Sequence, residues 1–298
     1  MKILLFGKNG QIGWELQRSL APLGELIALD RHGLEYAGQF ISGDLLDPDA
    51  TANAVMTVKP DVIVNAAAYT AVDKAETETT NAHTINALAP IAMAQAAIKA
   101  RALLVHYSTD YVFDGTPGKP WVETDTPCPL SVYGASKLAG EQGIAATGAR
   151  HLIFRTSWVY AARGSNFAKT MLRLAQERET LSVINDQIGA PTGADLLADV
   201  TTHALRQPAP DGIYHLAAAG ETTWYGYAQY VFAAARKHGV ALKLNDAQLL
   251  PISTAEYKTA AQRPLNSLLN CEKLNSGLSL RLPHWTAGVD RMLVETLQ

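Results

Sequence analysis

With 298 residues, 48% of them hydrophobic and 18% charged, the chain can form one large domain or two modest ones, and its composition does not indicate disorder. A formal net charge of -3 provides neither the basic footprint of a nucleic-acid binder nor a polybasic handle for a membrane surface. Two cysteines, Cys128 and Cys271, argue against a disulfide framework and are too few for a four-cysteine zinc site, so both are expected to be reduced thiols.

Residues 3–6, Ile-Leu-Leu-Phe, read as a strand buried on both faces. This apolar run is too short for a secretion signal, and no apolar stretch is long enough to span a bilayer, so a cytoplasmic location is expected. Residues 11–20 read as a helix, with Ile12, Leu16 and Leu20 at four-residue spacing, and 26–29 as a second strand. A helix over 49–59 precedes a strand at 61–65. An alanine-rich helix is expected over 80–100, then a strand at 103–107, a helix over 135–145 and a strand at 152–155. Such alternation predicts an α/β fold, a doubly wound, Rossmann-like parallel sheet. Beyond it the pattern loosens to a helix over 166–179, a strand at 213–216 and a helix over 223–238. Pro208, Pro210, Pro251, Pro264 and Pro283 punctuate the remainder.

Gly7, Gly10 and Gly13 sit between the first strand and the first helix. A tight turn there needs a residue free of Cβ strain, and a pyrophosphate needs close backbone approach. The helix N-terminus then offers unpaired N–H groups and a partial positive charge. The spacing Gly-x-x-Gly-x-x-Gly departs from the usual dinucleotide fingerprint, so its placement after a strand and before a helix carries the reading; the plain alternative is a strand-to-helix turn. Asp30 ends the second strand, where a carboxylate accepts hydrogen bonds from adenosine ribose hydroxyls. Asp30 alone favours NADH, whereas Arg31 beside it can hold a 2′-phosphate, and the choice between NADH and NADPH stays open. Asp44 and Leu45 are expected to flank the adenine, Asp44 being equally readable as a turn carboxylate. The expected organisation is a dinucleotide-binding domain over 1–155, to which 189–217 returns, and a smaller, mainly C-terminal substrate-binding domain over 156–188 and 218–298.

Tyr133-Gly134-Ala135-Ser136-Lys137 is the sharpest signal. Residues four apart share a helix face. A free tyrosine, with a pKa of about 10, is a poor acid–base partner at neutral pH. A nearby ammonium is expected to lower it, so that the phenol protonates a carbonyl oxygen as hydride reaches carbon. Ser108-Thr109-Asp110 follow a strand, and a hydroxyl there can steady a developing oxyanion; Thr109 is the first choice and Ser108 the second.

The glycine turn, Tyr133 and Lys137 resemble the extended short-chain dehydrogenase/reductase superfamily. The match narrows at Ser108-Thr109-Asp110-Tyr111-Val112-Phe113-Asp114-Gly115, at Arg155-Thr156-Ser157-Trp158-Val159-Tyr160, at Asp186-Gln187-Ile188-Gly189-Ala190-Pro191-Thr192 and at Arg263-Pro264-Leu265-Asn266-Ser267. These segments, in order along nearly the whole chain, resemble the dTDP-4-dehydrorhamnose reductase family.

The resemblance implies NADPH- or NADH-dependent reduction of the 4-keto group of dTDP-4-dehydro-6-deoxy-L-mannose to dTDP-L-rhamnose, in the synthesis of surface polysaccharide precursors. It implies Tyr133 as proton donor, Lys137 as its partner and Thr109 as the carbonyl contact. Gly10, Gln11 and Ile12 would meet the pyrophosphate, and Ala68, Tyr69, Thr70 and Tyr107 would line the cofactor path with Tyr133 and Lys137. Substrate would touch Thr109, Asp110, Tyr133, Trp158, Asn166 and Arg263, although Trp158 is also readable as core. The family also implies a homodimer with Mg2+ at its interface, to which Glu15, Asp195 and Glu295 would correspond, Asp195 standing where a glutamate is typical.

Two other readings compete. A dehydratase of this fold is disfavoured because Tyr111, not glutamate, follows Thr109-Asp110, whereas an epimerase would differ from a reductase in keeping its nicotinamide tightly bound. A binding module like the regulatory subunit of methionine adenosyltransferase need not keep the Tyr133, Lys137 and Thr109 set present here.

Overall fold

Six parallel strands build the main sheet: β1 (Lys2–Phe6), β2 (Glu25–Leu29), β3 (Val62–Asn65), β4 (Leu103–Thr109), β5 (His151–Thr156) and β6 (Gly212–His215), in spatial order β6-β5-β4-β3-β1-β2. The structure, a computed structural model, describes residues 1–116, 118–207 and 209–297, so Pro208 lies outside the described residues. Helices α1 (Gln11–Leu20), α2 (Pro48–Val58), α3 (Ala89–Ala100), α4 (Val132–Thr147), α5 (Phe167–Glu177), α6 (Ala194–Arg206), α7 (Trp224–Lys237), α8 (Glu272–Leu278) and α9 (Trp285–Leu297) surround it.

The strand centres are apolar because both faces are covered, and polar residues gather toward the strand ends. Leu4 and Phe6 enter one core with Val55 of α2, Met93 of α3 and Ile144 of α4. Ile3 and Leu5 enter the opposite core with Leu16 and Leu20 of α1, Leu197 of α6 and Leu274 of α8. A separate core joins Leu172 of α5, Tyr227 and Phe232 of α7 and Val289 of α9. The chain winds outward in opposite directions from β1, which puts the topological switch between β1 and β3, where such sheets bind ligands at their carboxyl ends.

Several expected elements shift. The alanine-rich helix is not continuous: Thr79–His83 is α-helical, Thr84–Leu88 is a π-turn and α3 follows. The π-turn contains the fully buried Asn86, whose amide meets Tyr69 and Ser136. Helix α4 begins at Val132, earlier than expected, because Ser131 Oγ accepts the Gly134 N–H at 3.2 Å and caps it. That start places Tyr133 in the first turn. An antiparallel hairpin pairs Leu34–Tyr36 with Gln39–Ile41, and α8, α9 and the parallel pair Leu181–Ile184 with Leu249–Ile252 complete the less regular half.

A buried ion pair fastens α4 to β5. Arg155 Nη2 donates to Glu141 Oε2 at 2.6 Å and Nε to Glu141 Oε1 at 3.0 Å, with side chains 3% and 1% exposed. Removing one partner strands a buried charge. We expect Glu141→Ala to cost about 3–5 kcal/mol in urea unfolding; a loss below about 1 kcal/mol would show that the pair does not hold α4 in place.

Candidate active site

Thr109 is the last residue of β4, and Tyr133 and Lys137 stand one turn apart on α4. The Tyr133 and Thr109 hydroxyls are hydrogen-bonded to each other. Thr109 Oγ1 accepts the Tyr111 N–H at 3.1 Å and donates to Asp110 Oδ1 at 3.0 Å. Lys137, 2% exposed, donates to the Tyr107 carbonyl at 2.6 Å and lies 3.1 Å from His106 Nε2. The Tyr111 ring meets Tyr133 edge-on, with centroids 5.6 Å apart. The expected groups therefore converge at the carboxyl end of β4.

Their ionisation departs from expectation. Burial pushes the Tyr133 phenol up to about 12 despite its bond to Thr109, and Asp110 adds to the rise. The expected lowering by Lys137 is not found: burial is the largest influence on the phenol, and Lys137 is not among the groups that shift it. The same burial pushes the Lys137 ammonium down to about 8 against the pull of Glu141. Asp110 is pushed up to about 7 by burial, which outweighs hydrogen bonds from Ser267 and Thr109. Thr109 directs its proton at Asp110 rather than at an open site, which corrects its reading as a free donor. Ser108 Oγ, Thr156 Oγ1 and Ser157 Oγ are buried with no partner among the described residues, so the ends of β4 and β5 carry spare hydroxyls.

The cofactor side is built on the glycine turn. Gly7 has φ +88°, and a Cβ there would lie 2.7 Å from the Ala67 nitrogen. A Cβ on Gly13 would strike the Gly7 carbonyl, so α1 can meet the turn this closely only without a side chain. Gly10 caps α1 without a side chain, and Gln11 Oε1 is buried and unpartnered among the described residues. The uncapped N–H groups at the start of α1 fit a dinucleotide pyrophosphate, whereas the Gln11 amide N–H is already donated to the Ser165 carbonyl at 3.0 Å. Ile12 packs half-buried against the core. Asp30 accepts from Asn9 Nδ2 and the His32 N–H, each at 2.9 Å, and pairs with Lys8 at 3.3 Å. Burial raises this carboxyl, but the His32 bond and Lys8 outweigh it and hold the group below its ordinary value. Arg31 is exposed beside it. Asp44 accepts the Leu46 N–H at 3.0 Å, the turn role named above, and Leu45 is buried. Ala68, Tyr69 and Thr70 follow β3, and Asn86 ties this segment to α4: its Oδ1 accepts the Tyr69 N–H at 2.9 Å and its Nδ2 donates to Ser136 Oγ at 2.9 Å.

At four expected positions the side chains are engaged elsewhere in this ligand-free structure. The Tyr107 side chain is buried on the α1/α6 side of the sheet, with its hydroxyl 2.6 Å from Thr201 Oγ1, so only its carbonyl serves the site. Asn166 is consumed locally, its Oδ1 accepting the Lys169 N–H at 3.1 Å and its Nδ2 donating to the Ala161 carbonyl at 2.6 Å. Arg263 forks onto Asp73, at 3.1 and 2.7 Å, instead of standing free for a diphosphate. Glu15, Asp195 and Glu295 do line one small cavity, but Arg18 meets Glu15 at 3.3 Å and Arg291 meets Asp195 at 3.1 Å and Glu295 at 3.0 Å. Guanidinium partners do not fit a cation, and no cluster of three or more His, Cys, Asp or Glu side chains among the described residues can hold a metal. Trp158 adopts φ +49° beyond β5 and stacks on Trp224 at 3.5 Å between centroids, with Gly189 leaving room for its ring.

Comparison with known proteins agrees with this geometry. A family model described as the RmlD substrate binding domain matches residues 1–298. The chain belongs to the RmlD family. Among family relatives, the dTDP-4-dehydrorhamnose reductase of Escherichia coli strain K12 is 57% identical over 299 residues, covering 99% of this chain and 98% of that protein. The spore coat polysaccharide biosynthesis protein SpsK of Bacillus subtilis is 35% identical, covering 99% and 97%. A crystal structure of dTDP-4-dehydrorhamnose reductase from Bacillus anthracis in complex with NADP matches with a TM-score of 0.88 at 37% identity, over 99% of this chain and all of that one. A second, from Clostridium acetobutylicum, matches at 0.89 and 34% identity over both full lengths.

In this RmlD-family chain, folded Asp110 keeps its proton up to about pH 7, whereas its ordinary value is 3.8. The folded state binds the extra proton across that window, so the stability tied to this group is fullest below the ordinary value and is lost as pH rises through the folded one. We expect Asp110→Asn to gain stability over wild type at pH 8 relative to pH 4 in urea melts; an equal difference at both would contradict the raised carboxyl.

Proposed function

We propose that this chain reduces the 4-keto group of dTDP-4-dehydro-6-deoxy-L-mannose to dTDP-L-rhamnose with NADPH or NADH. The observation that carries the reading is the half-buried, protonated Tyr133 phenol, beside Thr109 and one turn from Lys137, in a chain 57% identical to a named dTDP-4-dehydrorhamnose reductase. The glycine turn, Gln11 and Asp30 would hold the cofactor, with Tyr69 and Lys137 toward its reacting end. When bound, it supplies the hydride for C4.

The rest is proton handling by the chain. A phenol near 12 keeps its proton at neutral pH and yields it only to a strong base, which an alkoxide at C4 is. Thr109 fixes the phenol's position, and the spare hydroxyl of Ser108 is a second donor at the same strand end. Tyr111 supports reduction over dehydration: burial raises its phenol, so it cannot replace the missing glutamate as a base. We assign the reaction to the cytoplasm and, by resemblance, to a homodimer. The cysteines are free, and among the described residues no helix is long and apolar enough to cross a membrane.

NAD(P)H consumption with a panel of dTDP- and GDP-linked 4-keto-6-deoxy sugars tests the assignment; turnover confined to the dTDP-linked mannose derivative is expected, and none in a folded sample rejects it. Tyr133→Phe should slow the chemical step by about 10²- to 10⁴-fold while cofactor still binds; a rate within about twofold of wild type excludes Tyr133 as the acid. Asp30→Ala should weaken NADH more than NADPH, because a carboxylate favours a free ribose hydroxyl. Equal losses in the two dissociation constants would remove Asp30 from discrimination.

A further inference from the structure

Beneath Lys137 runs a line of buried polar groups that the reaction above leaves unused. The Ala67 N–H donates to Asn65 Oδ1 at 3.1 Å, and Asn65 Nδ2 lies 3.1 Å from His106 Nδ1. His106 Nε2 lies 3.1 Å from Lys137 Nζ, which donates to the Tyr107 carbonyl at 2.6 Å. Asn65, His106 and Lys137 are 1%, 1% and 2% exposed, so solvent does not supply alternative partners.

The polarity of this line is fixed at its far end. A backbone N–H only donates, so the Asn65 atom facing Ala67 is the amide oxygen, and the amide N–H points at His106. His106 Nδ1 is therefore the acceptor. A neutral imidazole has one donor and one acceptor, so Nε2 carries the hydrogen and points it at Lys137. An ammonium has only donors and would oppose that N–H; an amine has a lone pair to receive it and still donates to Tyr107. We infer that Asn65 and His106 are a positioning pair of fixed hydrogen-bond polarity that favours the neutral amine of Lys137 over its ammonium in the cofactor-free protein.

The surrounding charges agree. Burial, the largest influence, holds His106 well below its ordinary value whether or not Lys137 is charged, so the ring is neutral. Burial lowers Lys137 to about 8, so its charge changes within a working pH range. Glu141, on the same helix, pulls the other way, but its carboxylate is shared with Arg155 of β5. From β4 the Tyr107 hydroxyl is turned away to Thr201, and on α4 the Tyr133 phenol is protonated. On this view β3 and β4 set how readily the lysine is charged.

Nitrogen-15 NMR of the histidine rings in the cofactor-free protein tests the pair directly, with the His106 signal assigned by its loss in His106→Gln. The expected result is a neutral His106 with hydrogen on Nε2 and a bare Nδ1; hydrogen on Nδ1, or an imidazolium, overturns the inference. Asn65→Asp keeps an oxygen for Ala67 and presents a second to His106, which should reverse the tautomer. The kinetic consequence rests on the reductase reading, with the alkaline limb of kcat/KM reporting Lys137. That limb should move up by about one pH unit or more in Asn65→Asp, as expected for an opposite charge brought near. An unreversed tautomer or an unmoved limb in the folded variant also overturns the inference. Absence of NADPH oxidation by wild type would instead remove the reductase reading, and the NMR result would still decide the pair.

Discussion

Taking a lysine nitrogen out of water beneath a parallel sheet costs several kcal/mol unless hydrogen bonds replace its hydration. At 2% exposure, Lys137 meets that requirement with one carbonyl and one imidazole, both on β4. Their positions dictate where α4 must lie. The helix is drawn close enough that a Cβ on Gly140 would strike the Asn86 carbonyl, and it is held there by the Glu141–Arg155 pair. The Ser131 cap sets its first turn and hence Tyr133. Tyr133, the proposed proton donor, is placed by the same packing that buries the lysine.

The low dielectric that makes this burial costly also sorts the protons. It raises acids and lowers bases, so Tyr133 and Asp110 hold protons while Lys137 surrenders its own more readily. A site that keeps protons on its acids suits ketone reduction, which consumes one proton per turnover. It would serve alcohol oxidation poorly, because that direction needs a phenolate at rest. The expectation from spacing alone, a phenol made acidic by its neighbour, misjudged which influence is larger in the cofactor-free chain.

The doubly wound sheet was legible because most of its strands carry a short apolar run, and α1 between the first two shows apolar residues at four-residue spacing. The glycine turn and the Tyr133–Lys137 spacing were legible for a similar reason: both are local. What escaped notice is nonlocal or geometric. Asn86 sits in an alanine-rich stretch whose composition gives no sign of a π-turn. Asn65 and His106 read as strand ends, and only the pairing of β3 with β4 sets them side by side. The strand pair Leu181–Ile184 with Leu249–Ile252 joins distant segments and includes Pro251, which weakens any strand pattern.

The substrate side shows why a motif locates a backbone more securely than a bond. Arg263 occupies the position the family pattern expects, yet its fork grips Asp73. The pair is part-exposed, at 21% and 45%, and a pair of that kind contributes at most about 1 kcal/mol. A diphosphate offers the same planar fork a comparable bidentate partner with more charge. Exchange of one anion for the other is therefore not barred by the energy of the existing pair. Meanwhile Asp73 links the guanidinium to the segment after β3, so the C-terminal chain is tethered to the sheet-bearing half. Asn166 differs in kind: its Nδ2 ties its own loop at the Ala161 carbonyl and its Oδ1 caps α5, so freeing the oxygen would uncap the helix. Arg263 can serve as a contact by exchange; Asn166 acts by shaping the loop.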